Sequence, residues 1–148
     1  MGLIFPNTVA PERVAQALSA DLRLRVWLDD DMVDRRAPDG WVHVTTAAQA
    51  IALIDSGLVA ELSLDHDLGG DEIFGRGVDV IDFICEQQVT HGRDLWPHSL
   101  RLHTANPYAR ETMARAIKRY ASQLHELTMS MPNGQIRFRF QAPAVPDK

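Results

Sequence analysis

Apolar positions fall in short blocks that switch between two periods. Leu24-Arg25-Val26-Trp27-Leu28 predicts a strand running into Asp29-Asp30-Asp31. Trp41 to Thr45 predicts a second strand, Val59 to Leu64 a third and Ser99 to Thr104 a fourth. Ile136-Arg137-Phe138-Arg139-Phe140-Gln141 alternates strictly and predicts a half-buried fifth. Between these blocks the spacing becomes helical. Ala47, Ala50, Ile51 and Ile54 make one apolar face over Ala47 to Asp55, with Thr45 or Thr46 as cap and Ser56-Gly57 as stop. Val78, Ile81, Ile84, Cys85 and Val89 predict a helix from Val78 to Thr90. Met113, Ala116, Ile117, Tyr120 and Leu124 predict another from Tyr108 to Leu124.

The rest reads as connections. Residues 1–22 form an N-terminal leader with a short helix over Pro11 to Leu18, and residues 142–148 a loose tail. The body is residues 23–141. Arg35 to Gly40 is loop by its Pro and Gly, Gly69 to Gly77 is a glycine-rich loop, and Asn133-Gly134 is a turn. Strands alternating with helices imply right-handed crossovers and a parallel sheet. The strand over 136–140 fits either direction. Ligands of such sheets bind outside the carboxyl ends of the strands. Asp29-Asp30-Asp31, Asp65-His66-Asp67 and His103-Thr104-Ala105-Asn106 all stand at such ends, so the topology predicts that they converge.

Composition narrows the function. The chain has 148 residues, one cysteine, and a net charge of −5. A single thiol forms no internal disulfide and fits a reducing, cytoplasmic setting. No apolar run reaches the ~18–20 residues of a membrane span, and the start has no basic region or long apolar core, so neither a membrane site nor a secretory signal is expected. The acidic balance argues against an extended nucleic-acid surface but leaves room for a small phosphate ligand. Thirteen of the 15 basic residues are arginine.

Carboxylates brought within ~4–6 Å repel unless a cation relieves them, and Mg²⁺ does so with oxygen ligands. A single Asp after a strand reads as a cap; two acidic clusters at strand ends favour a cation or phosphoryl site. His66 and His103 suit general acid and base work, or a softer metal such as Mn²⁺ or Zn²⁺. His43 reads as structural. Thr104 offers a hydroxyl and Asn106 an amide, beside the N–H groups that open the next helix behind Pro107. Arg110, one turn inside, offers a fork for two phosphate oxygens, or a solvated surface charge.

Leu28-Asp29-Asp30, Gly40-Trp41, Ser63-Leu64-Asp65-His66-Asp67-Leu68-Gly69 and His103-Thr104-Ala105-Asn106-Pro107-Tyr108-Ala109-Arg110 resemble the cyclic-phosphate processing receiver domain family, a divergent branch of the response-regulator receivers. The resemblance covers about residues 23 to 120. It implies an α/β, flavodoxin-like (receiver-like) three-layer sandwich with a mostly parallel sheet. It also implies Mg²⁺ on Asp29 and Asp30, Asp65 as phosphoacceptor or its relic, and Thr104 on the phosphoryl group. Ordinary receivers end their last strand with a lysine. Lys118 falls mid-helix and Lys148 is terminal, so Arg110 or a protonated His103 would replace it. His66 and Asp67, directly after the phosphoacceptor position, suit a site that performs acid/base chemistry.

The leading expectation is a metal-dependent phosphoesterase or phosphotransferase for cyclic or terminal phosphates of nucleotides or RNA ends. Asp29, Asp30 and Asp65 would hold Mg²⁺ or Mn²⁺. His66 or Asp67 would activate the nucleophile, and His103 would protonate the leaving oxygen. Thr104, Asn106 and Arg110 would bind the non-bridging oxygens. In a variant, Asp65 is itself the nucleophile; the Asp65-x-Asp67 spacing is similar to that of the haloacid dehalogenase phosphatases. The alternatives are a non-enzymatic signalling module, phosphorylated on Asp65 or binding a nucleotide and acting on a protein partner, and a protein that sequesters a cyclic nucleotide.

Overall fold

The computed structural model describes residues 23–66, 68, 75–132 and 135–141. The leader, the tail, Asp67, most of the glycine-rich loop and the Asn133-Gly134 turn lie outside the described residues. The elements in chain order are β1 (Leu24–Leu28), β2 (Val42–Val44), α1 (Ala47–Asp55), β3 (Val59–Leu64), α2 (Gly77–His91), β4 (Ser99–Leu102), α3 (Pro107–Ala121), β5 (Glu126–Ser130) and β6 (Ile136–Gln141). They build one six-stranded sheet in the order β2-β1-β3-β4-β6-β5. The first four strands are parallel; β6 runs antiparallel to β4, and β5 antiparallel to β6. A mostly parallel sheet with three helices is the receiver-like α/β architecture.

Local chemistry sets the boundaries. Thr46 caps α1 by accepting the Gln49 N–H, and Gln49 returns the bond to the Thr46 N–H. Gly57, at φ 78°, turns the chain out of that helix toward β3. Asn106 caps α3 and Pro107 opens it.

Parity along the strands separates two faces. Leu24, Val26 and Leu28 of β1, Leu62 and Leu64 of β3, Leu100 and Leu102 of β4, and Phe138 and Phe140 of β6 are buried in one apolar core. The three helices pack side by side over it, α1 on α2 and α2 on α3. The alternate positions form the other face. Arg25, Glu61, Ser99 and Arg139 share one register row, and Trp27, Ser63, Arg101 and Arg137 the next.

Handedness decides what crosses that second face. The step from β1 to β2 runs opposite to the steps from β2 to β3 and β3 to β4, so a right-handed connection places it on the opposite side from the helices. It is a loop, and it folds over Trp27. The Trp27 indole N–H donates to the Arg35 carbonyl at 2.9 Å, and Trp41 meets the Trp27 ring edge-on at 6.0 Å. That excursion delivers Arg35 to the rim where the strands end.

Candidate functional site

Three adjacent strands place three polar residues in a row. Backbone bonds continue the ladder past the last strand residues: Asp29 N–H to Val44 O at 3.1 Å, Asp65 N–H to Leu28 O at 2.9 Å, and His103 N–H to Leu64 O at 2.9 Å. Strand order reverses at β1, so the crevice between β1 and β3 is the expected ligand position for an open sheet. Asp29 and Asp65 flank it, both buried.

Asp29, Asp30 and Asp65 each offer a carboxylate oxygen, and the three lie within 4.8 Å of one another. Asp65 Oδ1 accepts the His66 N–H at 2.8 Å. Its Oδ2 is buried and has no hydrogen-bond partner. Burial, then the neighbouring Asp29 carboxylate, push the Asp65 carboxyl above its ordinary range; the His66 N–H, Arg35 and His103 pull it the other way. A desolvated oxygen that accepts no hydrogen bond, met only by the Arg35 guanidinium at 3.6 Å and set beside two further carboxylates, fits a hard divalent cation with oxygen ligands. Asp31 stands outside this set. Its Oδ1 accepts the Val33 and Asp34 N–H groups, which hold its carboxyl below the usual range.

His103 is turned toward the acids and away from solvent. Its Nε2–H donates to Asp29 Oδ2 at 3.0 Å, and its Nδ1 accepts the Ser63 hydroxyl at 2.8 Å. Trp27 stacks on the ring at 4.2 Å and 13°. With both nitrogens engaged and the ring covered, His103 fits a residue that orients Asp29. His43 is structural, as expected. Its Nδ1 accepts the Ala37 N–H and its Nε2–H donates to the Asp29 carbonyl at 2.7 Å, clipping the loop to β2.

The remaining expected residues that are described follow two strands: His66 after β3, and Thr104, Asn106 and Arg110 after β4. His66 is half-buried, with a buried Nδ1 that has no hydrogen-bond partner. Its carbonyl accepts the Gly77 N–H at 3.0 Å, which fastens the start of α2 to the site. A Cβ on Gly77 would overlap the Asp65 carbonyl oxygen, so this contact requires glycine. Thr104 is buried, and its Oγ1 accepts the Asn106 N–H at 3.2 Å. Asn106 Oδ1 accepts the Ala109 N–H at 3.1 Å, so one donor of the α3 entrance is satisfied internally. Arg110 is half-buried and gives its backbone N–H to the Asn106 carbonyl.

Sequence reasoning missed Arg35. Its guanidinium lies 3.4 Å from Asp29, 3.4 Å from Asp30, 3.8 Å from Asp31 and 3.6 Å from Asp65. Nothing in the loop's composition separates Arg35 from Arg36. Trp27 and Ser63 had a signal, since each precedes an aspartate by two positions on a strand and so shares its face.

The model of the cyclic-phosphate processing receiver domain matches residues 24–119, more than half of the chain. This chain belongs to that family. No curated protein and no solved structure matches it. The matched stretch of this receiver domain contains the aspartate cluster, His103 and the α3 entrance, and it ends before the β5–β6 hairpin. Among the described residues no helix is long and apolar enough to cross a membrane.

Proposed function

We propose that this receiver domain is a metal-dependent phosphoesterase or phosphotransferase acting on a cyclic or terminal phosphate of a nucleotide or RNA end. One observation carries the reading: three carboxylates meet within 4.8 Å, and the buried Oδ2 of Asp65 has no hydrogen-bond partner. Asp29, Asp30 and Asp65 hold Mg²⁺ or Mn²⁺, which supplies positive charge against the phosphoryl oxygens. His103, set by Ser63 and Trp27, fixes the rotamer of Asp29. His66 takes the proton of the attacking water, with Asp67 as the second acid/base group. The water oxygen bonds to phosphorus as the bond from phosphorus to the leaving oxygen breaks, and the leaving oxygen takes up the proton that His66 accepted. Thr104, Asn106 and Arg110 bind the non-bridging oxygens. Arg35 supplies the cation that the lysine of ordinary receivers supplies, since its guanidinium already meets Asp65.

Incubation with 2′,3′-cyclic nucleotides or cyclic dinucleotides and Mg²⁺ or Mn²⁺ tests this. Turnover is expected, abolished in Asp65→Asn and sharply reduced in His103→Ala. No turnover with any of these substrates refutes the enzyme.

A second reading has its own support. One Asp65 oxygen is held by the His66 N–H and the other has no hydrogen-bond partner, which suits a carboxylate that accepts a phosphoryl group. A signalling module of this kind would take stoichiometric label from acetyl phosphate at Asp65 and leave cyclic phosphates intact. It would pass the change to a protein partner.

A further inference from the structure

Among the described residues four buried side-chain polar atoms have no hydrogen-bond partner. Two are Asp65 Oδ2 and His66 Nδ1, at the aspartate site. The other two, His125 Nδ1 and Arg137 Nε, belong to side chains that line two cavities elsewhere. Buried polar groups are nearly always satisfied, so a pair left unmet outside the aspartate site calls for an explanation.

The two cavities adjoin. One, of about 310 Å³, has apolar walls from Ile54, Val59, Leu95, Trp96 and Phe140, with His125 beside them. Trp96 stacks on Phe140 at 5.6 Å and 19°, which makes that wall flat and rigid. Its volume is at the lower end of the ~300–1,000 Å³ of small-ligand sites. The other is an open trough of about 550 Å³ on the helix-free face, carrying Arg25, Arg137 and Arg139. Arg23 and His98 line both. They precede β1 and β4, so the recess wraps the amino ends of strands whose carboxyl ends lead to Asp29 and His103.

Charge decides what fits. Glu61 is taken by Arg25 at 2.6 Å. Asp94 accepts the Trp96 N–H at 3.1 Å and the His125 Nε2–H at 2.6 Å. Both acids of the recess are thereby spent. Among the described residues no carboxylate meets Arg23, Arg137 or Arg139. The uncompensated charge is positive, in a chain whose net charge is −5. Arginine forks take carboxylate or phosphate oxygens. An unpaired charge is costly among apolar walls, so the charged end of a ligand stays in the trough and its apolar end enters the cavity.

We infer that this recess is a second ligand site, for a small amphipathic anion with an apolar or aromatic body and a carboxylate or phosphate head. It stands at the other end of the sheet from the aspartates and does not depend on the reading given to them.

Titration of the isotope-labelled full chain with 1-naphthoate and with 1-naphthyl phosphate tests this, followed by amide NMR shifts. EDTA is present, so no cation draws an anion to the three carboxylates. Saturable binding is expected, with the largest shifts at Leu95, His98 and Phe140, and the tighter probe identifies the head. Inorganic phosphate and 1-naphthylmethanol each carry half of the chemistry and are expected to bind about tenfold more weakly than that probe. Arg139 is exposed, so Arg139→Glu should fold with an unchanged melting temperature and weaken the tighter probe about tenfold. Arg139→Lys retains most of the affinity. Any of four results overturns the proposal: no saturable binding of either probe, shifts confined to residues 29–35 and 103–110, inorganic phosphate binding as tightly as the better probe, or equal affinity of wild type and Arg139→Glu.

Discussion

The guanidinium of Arg35 stands 3.6 Å from Asp65 and 3.4 Å from Asp29, so a tethered cation already serves the carboxylates that a divalent ion would share. Its side chain is 45% exposed, so solvent and salt weaken each of these pairs.

Competition follows from that contact. Arg35→Met is expected to tighten Mn²⁺ binding about tenfold at low salt, equivalent to ~1.4 kcal/mol. A titration followed by tryptophan fluorescence reads it, because Trp27 is hydrogen-bonded to the Arg35 carbonyl. Weaker binding in the variant would show that Arg35 organises the carboxylates instead of occupying them.

Asp65 sets a pH dependence. A carboxyl raised by burial binds its proton more readily folded than unfolded. The cation-free protein therefore loses stability as pH rises from the ordinary value of 3.8 through the raised one, and saturating Mg²⁺ recovers most at neutral pH. Asp65→Asn is expected to stabilise the cation-free protein by ~0.5–2 kcal/mol at pH 7, the scale of relieving one strained polar position. Urea unfolding between pH 4 and 7 checks both; a variant less stable than wild type at pH 7 contradicts the assignment.

Gly77 is the mechanical link between α2 and the site. Gly77→Ala is expected to cost ~1–3 kcal/mol, the range for forcing a methyl into a packed contact, and to weaken Mn²⁺ binding. Thermal melts with and without Mn²⁺ separate the two effects. A variant with wild-type melting temperature and Mn²⁺ affinity would mean that the Asp65 loop shifts freely.

Cys85 provides a clock for opening. Burial, then the nearby Asp82 carboxylate, push its thiol up to about 11. The native protein should react with a thiol reagent only as fast as it unfolds, and reaction in denaturant should be immediate. Prompt native-state labelling would place the thiol at the surface.

Much of this was legible because short-range signals agreed. For Ala47–Asp55 the apolar spacing, the Thr46 cap and Gly57 all point to the same nine residues. Leu24–Leu28 and Val59–Leu64 are bounded by the polar residues that follow them. β5 was not legible. Glu126–Ser130 is an edge strand, mostly exposed, so no alternation marks it, and the expected helix ran on to Leu124 where the chain leaves at Ala121. The direction of β6 depends on that hairpin and not on its own residues.

The sequence by itself determined the strand-end aspartates and the parity that aims Asp29, Asp65 and His103 at one rim, because strand period and crossover handedness are local rules. Only the tertiary structure decided that His103 faces Asp29, that Arg35 returns from a long loop to meet four carboxylates, and that the arginines of β1 and β6 share a groove. Those pairings depend on loop path and strand neighbour, which no local pattern encodes.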